Sequence, residues 1–554
     1  MRFSSSLLGW TAFFTTAVSI SAKIIEVDWD ISWVDASPDG FTRKVTGVNG
    51  QWPLPHLRAS KGDTVRINMH NSLGDADMTL HGHGLFQNGT ADQDGASMIT
   101  ECATPPGGRR TYEYHLCDQV GTYWVHSHQL GQYMDGLRTP FIIDDPDVPF
   151  KYDDEVVVTV ADWYHNVSSE NIRWFLSREN TEATEPVPQS GLINDSKDTI
   201  FKFKPNKTYR LRLINMSGFA TFFFSLDGHE FEVIEVDGAY TEPYRTKNLY
   251  VSPSQRMSLL VRTKDNTEKN FLMHADMDTS VFDYMPAELN PNITAPVYYN
   301  DDTSESSFAP SDDIGAGSNF EDFRLRSLED IDAVEPDISY NFTVEQQTTT
   351  DGINRGMINR VPMIFSRTPT YMTMATMGNL SSSPLVYGPQ GRGYITKHLD
   401  MVELIVNNYD TDAHPFHLHG HRFQIVARSA KSQFLGDRST VDWVTHKPVI
   451  RDTVRVPANG YVILRYRADN PGAWLFHCHI DWHFLAGMGV VMVEAPEKVA
   501  GHPVNPVDAE HCRQLGLHAS GNAAGKEGLD LTGAPAGVYL PQSSPLATPD
   551  DDDD

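Results

Sequence analysis

Four His-X-His pairs punctuate the chain: His81-Gly-His83, His126-Ser-His128, His417-Leu-His419 and His477-Cys-His479. On a strand, residues i and i+2 point to the same face, so each pair can present two imidazoles side by side. Imidazole is a ligand for copper, zinc and iron. Eight imidazoles in four pairs, divided between the two ends of a long chain, predict a multinuclear metal centre rather than scattered surface histidines. Cys478 lies between His477 and His479, so its side chain should point to the opposite face and hold a different metal. His414, His483 and Met488 complete a His₂Cys set with a soft thioether, the ligand set of a blue-copper electron-transfer site with a weak axial ligand. The two sites would be one backbone step apart in each direction. Neighbouring Cα atoms are about 3.8 Å apart, which puts the metals on the order of 10 Å from one another. One entry copper and a cluster of three store four electrons, the number that takes O₂ to two waters. Four copper ions are therefore expected.

The elements that must carry these residues are strands. Short runs such as Thr64–Met69, Glu155–Val160, Thr208–Leu213 and Tyr461–Tyr466 recur between Gly/Pro/Asn/Asp turns, many alternating with period two. Long helical periods are scarce, which predicts an all-β architecture of consecutive sandwiches. Gly121-Thr-Tyr-Trp-Val-His126 echoes Gly472-Ala-Trp-Leu-Phe-His477, and the middle third has no histidine pair. Three related β units with chemistry in the outer two follow. The expected divisions are a signal segment 1–22, β units 23–145, 146–300 and 336–505, an acidic linker 301–335, and a C-terminal extension 506–554.

With 44 Lys and Arg against 73 Asp and Glu, the formal charge is −29, which argues against nucleic acid as a partner. Four cysteines are far too few for a disulfide-built scaffold. Arg2, the apolar stretch Leu7–Ile20 and Ser-Ala at 21–22 read as a secretory signal too short to span a bilayer comfortably. Asn-X-Ser/Thr sites at Asn88, Asn166, Asn194, Asn206, Asn215, Asn292, Asn341 and Asn379 fit a glycosylated extracellular chain. No other apolar run is long enough to predict a transmembrane helix. Met372, Met374 and Met377 read as apolar packing on a strand.

The motifs His81-Gly-His-Gly84, Trp124-Val-His-Ser-His128, His414-Pro-Phe-His-Leu-His-Gly-His421 and His477-Cys-His-Ile-Asp-Trp-His483 resemble, in order, those of the multicopper oxidases. The resemblance implies three cupredoxin-like Greek-key domains. By motif position, His414, Cys478 and His483 would hold the type 1 copper, with Met488 as axial neighbour. His81 and His417 would hold the type 2 copper, and His83, His126, His128, His419, His477 and His479 the type 3 pair. Within the family the chain looks most like the fungal iron-uptake ferroxidases, on Glu185-Pro-Val-Pro-Gln189, Asp276–Pro286 and Asn407-Asn-Tyr-Asp-Thr411. That likeness makes Glu185, Asp283 and Asp410 the carboxylates that bind Fe²⁺ and relay its electron. It makes Asp94 and Asp481 proton-handling acids near the cluster, though relatives usually carry Glu at the second position. It implies Fe²⁺ and O₂ as substrates, an iron permease as partner at the cell surface, and a monomer.

The chain departs from that subfamily in two ways. Met488 stands where a non-coordinating Leu is usual, and the usual C-terminal membrane helix is not in this sequence. Among Cys102, Cys117 and Cys512, one disulfide and one free thiol are expected. Family position favours Cys102 with Cys512, and the 15-residue spacing of Cys102 and Cys117 leaves a local bridge open. A laccase-like oxidase of phenols or pigment precursors is the alternative reading. A copper carrier is weaker, because a carrier needs no ordered electron path.

Overall fold

The computed structural model describes residues 22–311 and 320–540. The expected signal segment, apart from Ala22, and the chain from 541 onward lie outside the described residues. Six sheets make three consecutive cupredoxin-like β-sandwiches: two four-stranded sheets in the first, and a six-stranded sheet facing a five-stranded one in the second and third. The pairing recurs from unit to unit. An opening strand runs parallel to a second strand in each: Ile24–Ala36 with Thr64–Asn71, Asp154–Trp163 with Thr208–Asn215, and Ile338–Thr348 with Met401–Asn408. Each second strand then pairs antiparallel with a third. The middle unit is thus a sandwich of the same pairing without the histidine pairs.

Half-buried strands alternate as the sequence pattern dictates. In Thr64–Asn71, Val65, Ile67 and Met69 turn inward between more exposed neighbours. Strand Gly472–Cys478 is buried on both faces. Trp474, Phe476 and Cys478 enter the large core that runs through the three units, whereas Ala473 and Leu475 join Met374 and Val386 in a separate cluster. This alternation puts Cys478 on one face and His477 on the other.

The acidic connection is a docked strap where it is described. Ser327 bridges to Thr241, Arg326 to Pro448 and Asp332 to His446, and Asp322 is fully buried among arginines of the third unit. Cys102 and Cys512 form a disulfide, and Cys117 is an exposed free thiol. The three methionines are buried, but Met372 and Met374 lie on helix Thr370–Thr376 and Met377 caps it, so the expected strand is corrected. A seven-residue element packed on several sides shows no period that distinguishes helix from strand. Asn215 is buried, and its amide donates to the carbonyls of Ala220 and Val251. That sequon is closed to a glycan in the folded chain, while Asn88, Asn166, Asn206, Asn292, Asn341 and Asn379 are exposed. Among the described residues, no helix is long and apolar enough to cross a membrane.

Candidate metal centre

The histidine pairs meet because the strands that carry them are neighbours. His81 pairs with His126 across one sheet and His417 with His477 across another. The two sheets bring the pairs of the first and third units together: the rings of His81 and His419 stack at 4.1 Å, and those of His83 and His417 at 3.8 Å. His479 closes the group, 5.2 Å from His83 and 5.6 Å from His126 between ring centroids.

In most of these imidazoles one nitrogen is committed to the protein. Nδ1 donates to a backbone carbonyl in His81 (Asp94, 2.7 Å), His126 (Ser127, 2.9 Å), His417 (Asp452, 2.9 Å) and His477 (Cys478, 2.9 Å). His419 Nδ1 donates to the Asp94 carboxylate at 2.8 Å. These bonds fix the tautomer and leave the other nitrogen as a lone pair. His81 Nε2, His126 Nε2, His417 Nε2, His83 Nδ1 and both nitrogens of His479 are buried with no hydrogen-bond partner. His419 Nε2 and His477 Nε2 face one another at 3.2 Å. Burial, reinforced by neighbouring imidazoles, lowers the pKa of His126, His419, His477 and His479 and brings that of His128 to about 3. Neutral imidazoles aiming unpartnered lone pairs at one another in a dry interior are an unfavourable arrangement for an apoprotein and a favourable one around cations. The donor set therefore fits a copper cluster.

Cys478 faces a second constellation. Its Sγ is 3.6 Å from His414 Nδ1 and 3.5 Å from His483 Nδ1, and those two nitrogens are 2.9 Å apart. All three residues are buried and their donor atoms converge on one point. Burial raises the thiol, but the charge of His483 and hydrogen bonds from His414 and His483 outweigh it and bring Cys478 to about 7. Short helix Asp481–Leu485 follows the strand after two intervening residues and turns His483 back toward the sulfur. Met488 is buried and tied to both neighbours: Cys478 N–H donates to its carbonyl at 3.1 Å, and its N–H donates to His483 O at 3.0 Å.

The expected carboxylates separate into two groups. Glu185 and Asp410 reach the outer nitrogens of the Cys478-facing imidazoles: Glu185 Oε1 is 2.7 Å from His483 Nε2, and Asp410 Oδ2 is 3.4 Å from His414 Nε2. Exposed Asp283 accepts the Glu185 N–H at 2.7 Å. Asp94 instead holds His81 and His419, and its neighbour Gly95 (φ +79°) allows the loop to press inward, since a Cβ there would lie 1.8 Å from Leu80 O. Asp481 lines a pocket with His126, His128, Tyr133, His477 and His479. Burial first, then the charges of Asp162 and Asp135, push its carboxyl up to about 8.

Two site residues were missed by sequence reasoning. Gln346 donates to Asp410 at 3.2 Å and lies 3.3 Å from His483 Nε2. Asp452 is fully buried beside His83 and His417. Neither sits in a histidine motif, and nothing in the local spacing marks them.

Comparison with known proteins agrees with the geometry. Three multicopper oxidase family models match residues 30–148, 154–301 and 363–498. The iron transport multicopper oxidase fetC of Epichloe festucae is 39% identical over 95% of this chain and 86% of its own length. The iron transport multicopper oxidase FET3 of Candida albicans is 38% identical over 96% and 86%. Among solved structures, Fet3p, a multicopper oxidase that functions in iron import, superposes with a TM-score of 0.88 at 34% identity, covering 92% of this chain and 98% of that one. A laccase from Botrytis aclada gives 0.78 at 26% identity, covering 90% and 93%. With three family-specific segments and relatives aligned over nearly its whole length, this chain belongs to the multicopper oxidases.

Proposed function

We propose that the chain is a ferroxidase, oxidising four Fe²⁺ per O₂ reduced to two waters. The observation that carries this reading is the placement of Glu185 and Asp410 against the outer nitrogens of His483 and His414. Carboxylate oxygens suit iron and favour Fe³⁺ over Fe²⁺ by charge. An ion held there has a path of one hydrogen bond and one imidazole to the Cys478 sulfur. A phenol oxidase would need an open apolar pocket at His483 Nε2, where this chain presents a carboxylate.

In this reading His414, Cys478 and His483 would hold the type 1 copper with Met488 beside them, and His81 and His417 would hold the type 2 copper. His83, His126, His128, His419, His477 and His479 hold the type 3 pair. Bound copper supplies one-electron acceptance at the first site and four-electron reduction of O₂ at the cluster. Asp94 orients His81 and His419. Asp481 lines the pocket beside His477 and His479, where an acid can pass protons to the cluster. The relatives' iron-transport names and the exposed sequons support a place at the cell surface with an iron permease as partner, and the chain would act there as a monomer.

Oxygen uptake by the copper-loaded protein tests the function. Fe²⁺ is expected to be the better reductant by kcat/KM, with four Fe²⁺ consumed per O₂. Equal or faster turnover of a phenol would defeat the reading.

Met488→Leu tests the axial assignment. A thioether donates electron density and stabilises Cu(II), so its loss should raise the type 1 potential by on the order of 100 mV. Redox titration of the blue band reads this directly, and a potential unchanged by the substitution would make Met488 a packing residue.

A further inference from the structure

The middle unit supplies none of the histidine pairs, yet it reaches the cluster through Arg256. This side chain is fully buried. Its guanidinium grips Asp452 of the third unit with two prongs, Nη1 to Oδ1 at 2.7 Å and Nη2 to Oδ2 at 2.6 Å. Its Nε donates at 3.0 Å to the carbonyl of Thr122, in the strand of the first unit that ends at His126. Its backbone N–H donates to Asp237 at 2.9 Å. Arg451 donates to that same Asp237 and to Asp322 on the acidic connection. Arg256 therefore touches all three units at one point.

Asp452 is what it holds there. The Asp452 carbonyl accepts from His417 Nδ1 at 2.9 Å, and its Oδ1 lies 3.4 Å from His83 Nε2. Those contacts leave His417 Nε2 and His83 Nδ1 as the nitrogens without a protein partner. The fit is close: at Gly84 (φ +85°) a Cβ would lie 2.6 Å from both Arg256 Nη2 and Asp452 Oδ2. A planar guanidinium can fix a carboxylate in position and rotation at once, which a lysine ammonium cannot.

We propose that Arg256 is a positioning residue for the copper cluster: by donating to both Asp452 and the Thr122 carbonyl it ties the two together and sets which nitrogen His83 and His417 turn toward the metal. The unit without histidine pairs thereby sets ligand geometry in the other two. This rests on the ligand assignment proposed above.

Arg256→Lys keeps the charge and removes the fork. The readouts are copper per chain, the type 2 electron paramagnetic resonance signal, and the rate at which a chelator strips cluster copper. The type 1 blue band per chain should be unchanged, reporting an intact fold. The type 2 hyperfine splitting should change, and cluster copper should leave about 10-fold faster, the low end for loss of an outer-shell partner. Arg451→Lys lies in the same buried network, with its side chain bound by Asp237 and Asp322, and should leave both readouts at the parental values. A parental type 2 signal and stripping rate in Arg256→Lys overturns the proposal, as does an equal disturbance in Arg451→Lys. If Arg256→Lys is not recovered as blue protein, Asp452→Asn gives the same readouts, and an unaltered type 2 signal there overturns it. Copper content of the parent is measured first. Fewer than four ions per chain would defeat the ligand assignment, and the proposal with it, whereas four ions with an unaltered variant defeats the proposal alone.

Discussion

Cys478→Ser should abolish the blue absorption band and slow O₂ consumption with every reductant by about 10³-fold or more, beyond the 10–100-fold typical of losing an outer-shell partner. The expectation follows from what the sulfur touches. Sγ is the third donor facing His414 and His483, at 3.6 and 3.5 Å. A serine hydroxyl fills much of that volume but stays protonated at neutral pH and offers a hard oxygen where a soft thiolate is required. It also breaks the shortest covalent connection between the two sites, because His477 and His479 are bonded to Cys478 on either side and turn to the opposite face. The backbone should survive, since the Cys478 N–H remains bonded to the Met488 carbonyl and the strand is buried along its whole length. The type 2 resonance signal should therefore persist in the variant and serve as the control for folding. Oxygen uptake at the parental rate would show that electrons enter by another route.

The pairs and the cysteine were legible in the sequence because their chemistry rests on backbone geometry. Alternation along strand Gly472–Cys478 turns His477 and Cys478 to opposite faces, and His479, one residue past the strand end, keeps its ring 5.4 Å from that of His477. The all-β class was legible for the same reason, in runs such as Thr64–Asn71. Residues that act through tertiary contacts were not. Arg256 and Asp452 are 196 positions apart, and no local pattern joins them. Gln346 reaches His483 from a strand in another part of the third unit. Asp94 was expected to handle protons, and its observed contacts are with His81 and His419. The segment 301–335 read as an acidic linker from composition, which does not mark Asp322 as the acid that pairs with Arg428 and Arg451 in the interior. Composition reports average polarity and cannot report which acid meets a buried arginine. Glu185, Asp283 and Asp410 were visible only through family resemblance, since acids at positions as distant as 185, 283 and 410 carry no spacing signal.

The second large effect concerns those acids. In the combined variant Glu185→Ala/Asp283→Ala/Asp410→Ala, kcat/KM for Fe²⁺ should fall by about 10²–10³-fold, or ~2.7–4.1 kcal/mol of transition-state stabilisation at ~1.36 kcal/mol per decade. Turnover of a phenol should change by no more than a few-fold. Two losses combine in the iron reaction. Fewer oxygen ligands hold Fe²⁺, which raises KM. The carboxylates also favour the ferric product, and a preference of about a thousandfold lowers the iron couple by roughly 180 mV at ~59 mV per decade, so their removal makes the substrate a poorer reductant and lowers kcat. The single variants should be unequal. Glu185→Ala should be the most damaging, because its carboxylate contacts His483 directly at 2.7 Å. Asp410 is farther from His414, at 3.4 Å, and Asp283 meets the others through the Glu185 backbone. The blue band should keep its intensity in all of them, since none of the three contacts Cys478. Parental kcat/KM for Fe²⁺ in the triple variant would remove the iron assignment. A parallel fall for iron and phenol would point instead to damage at the imidazoles the two substrates share.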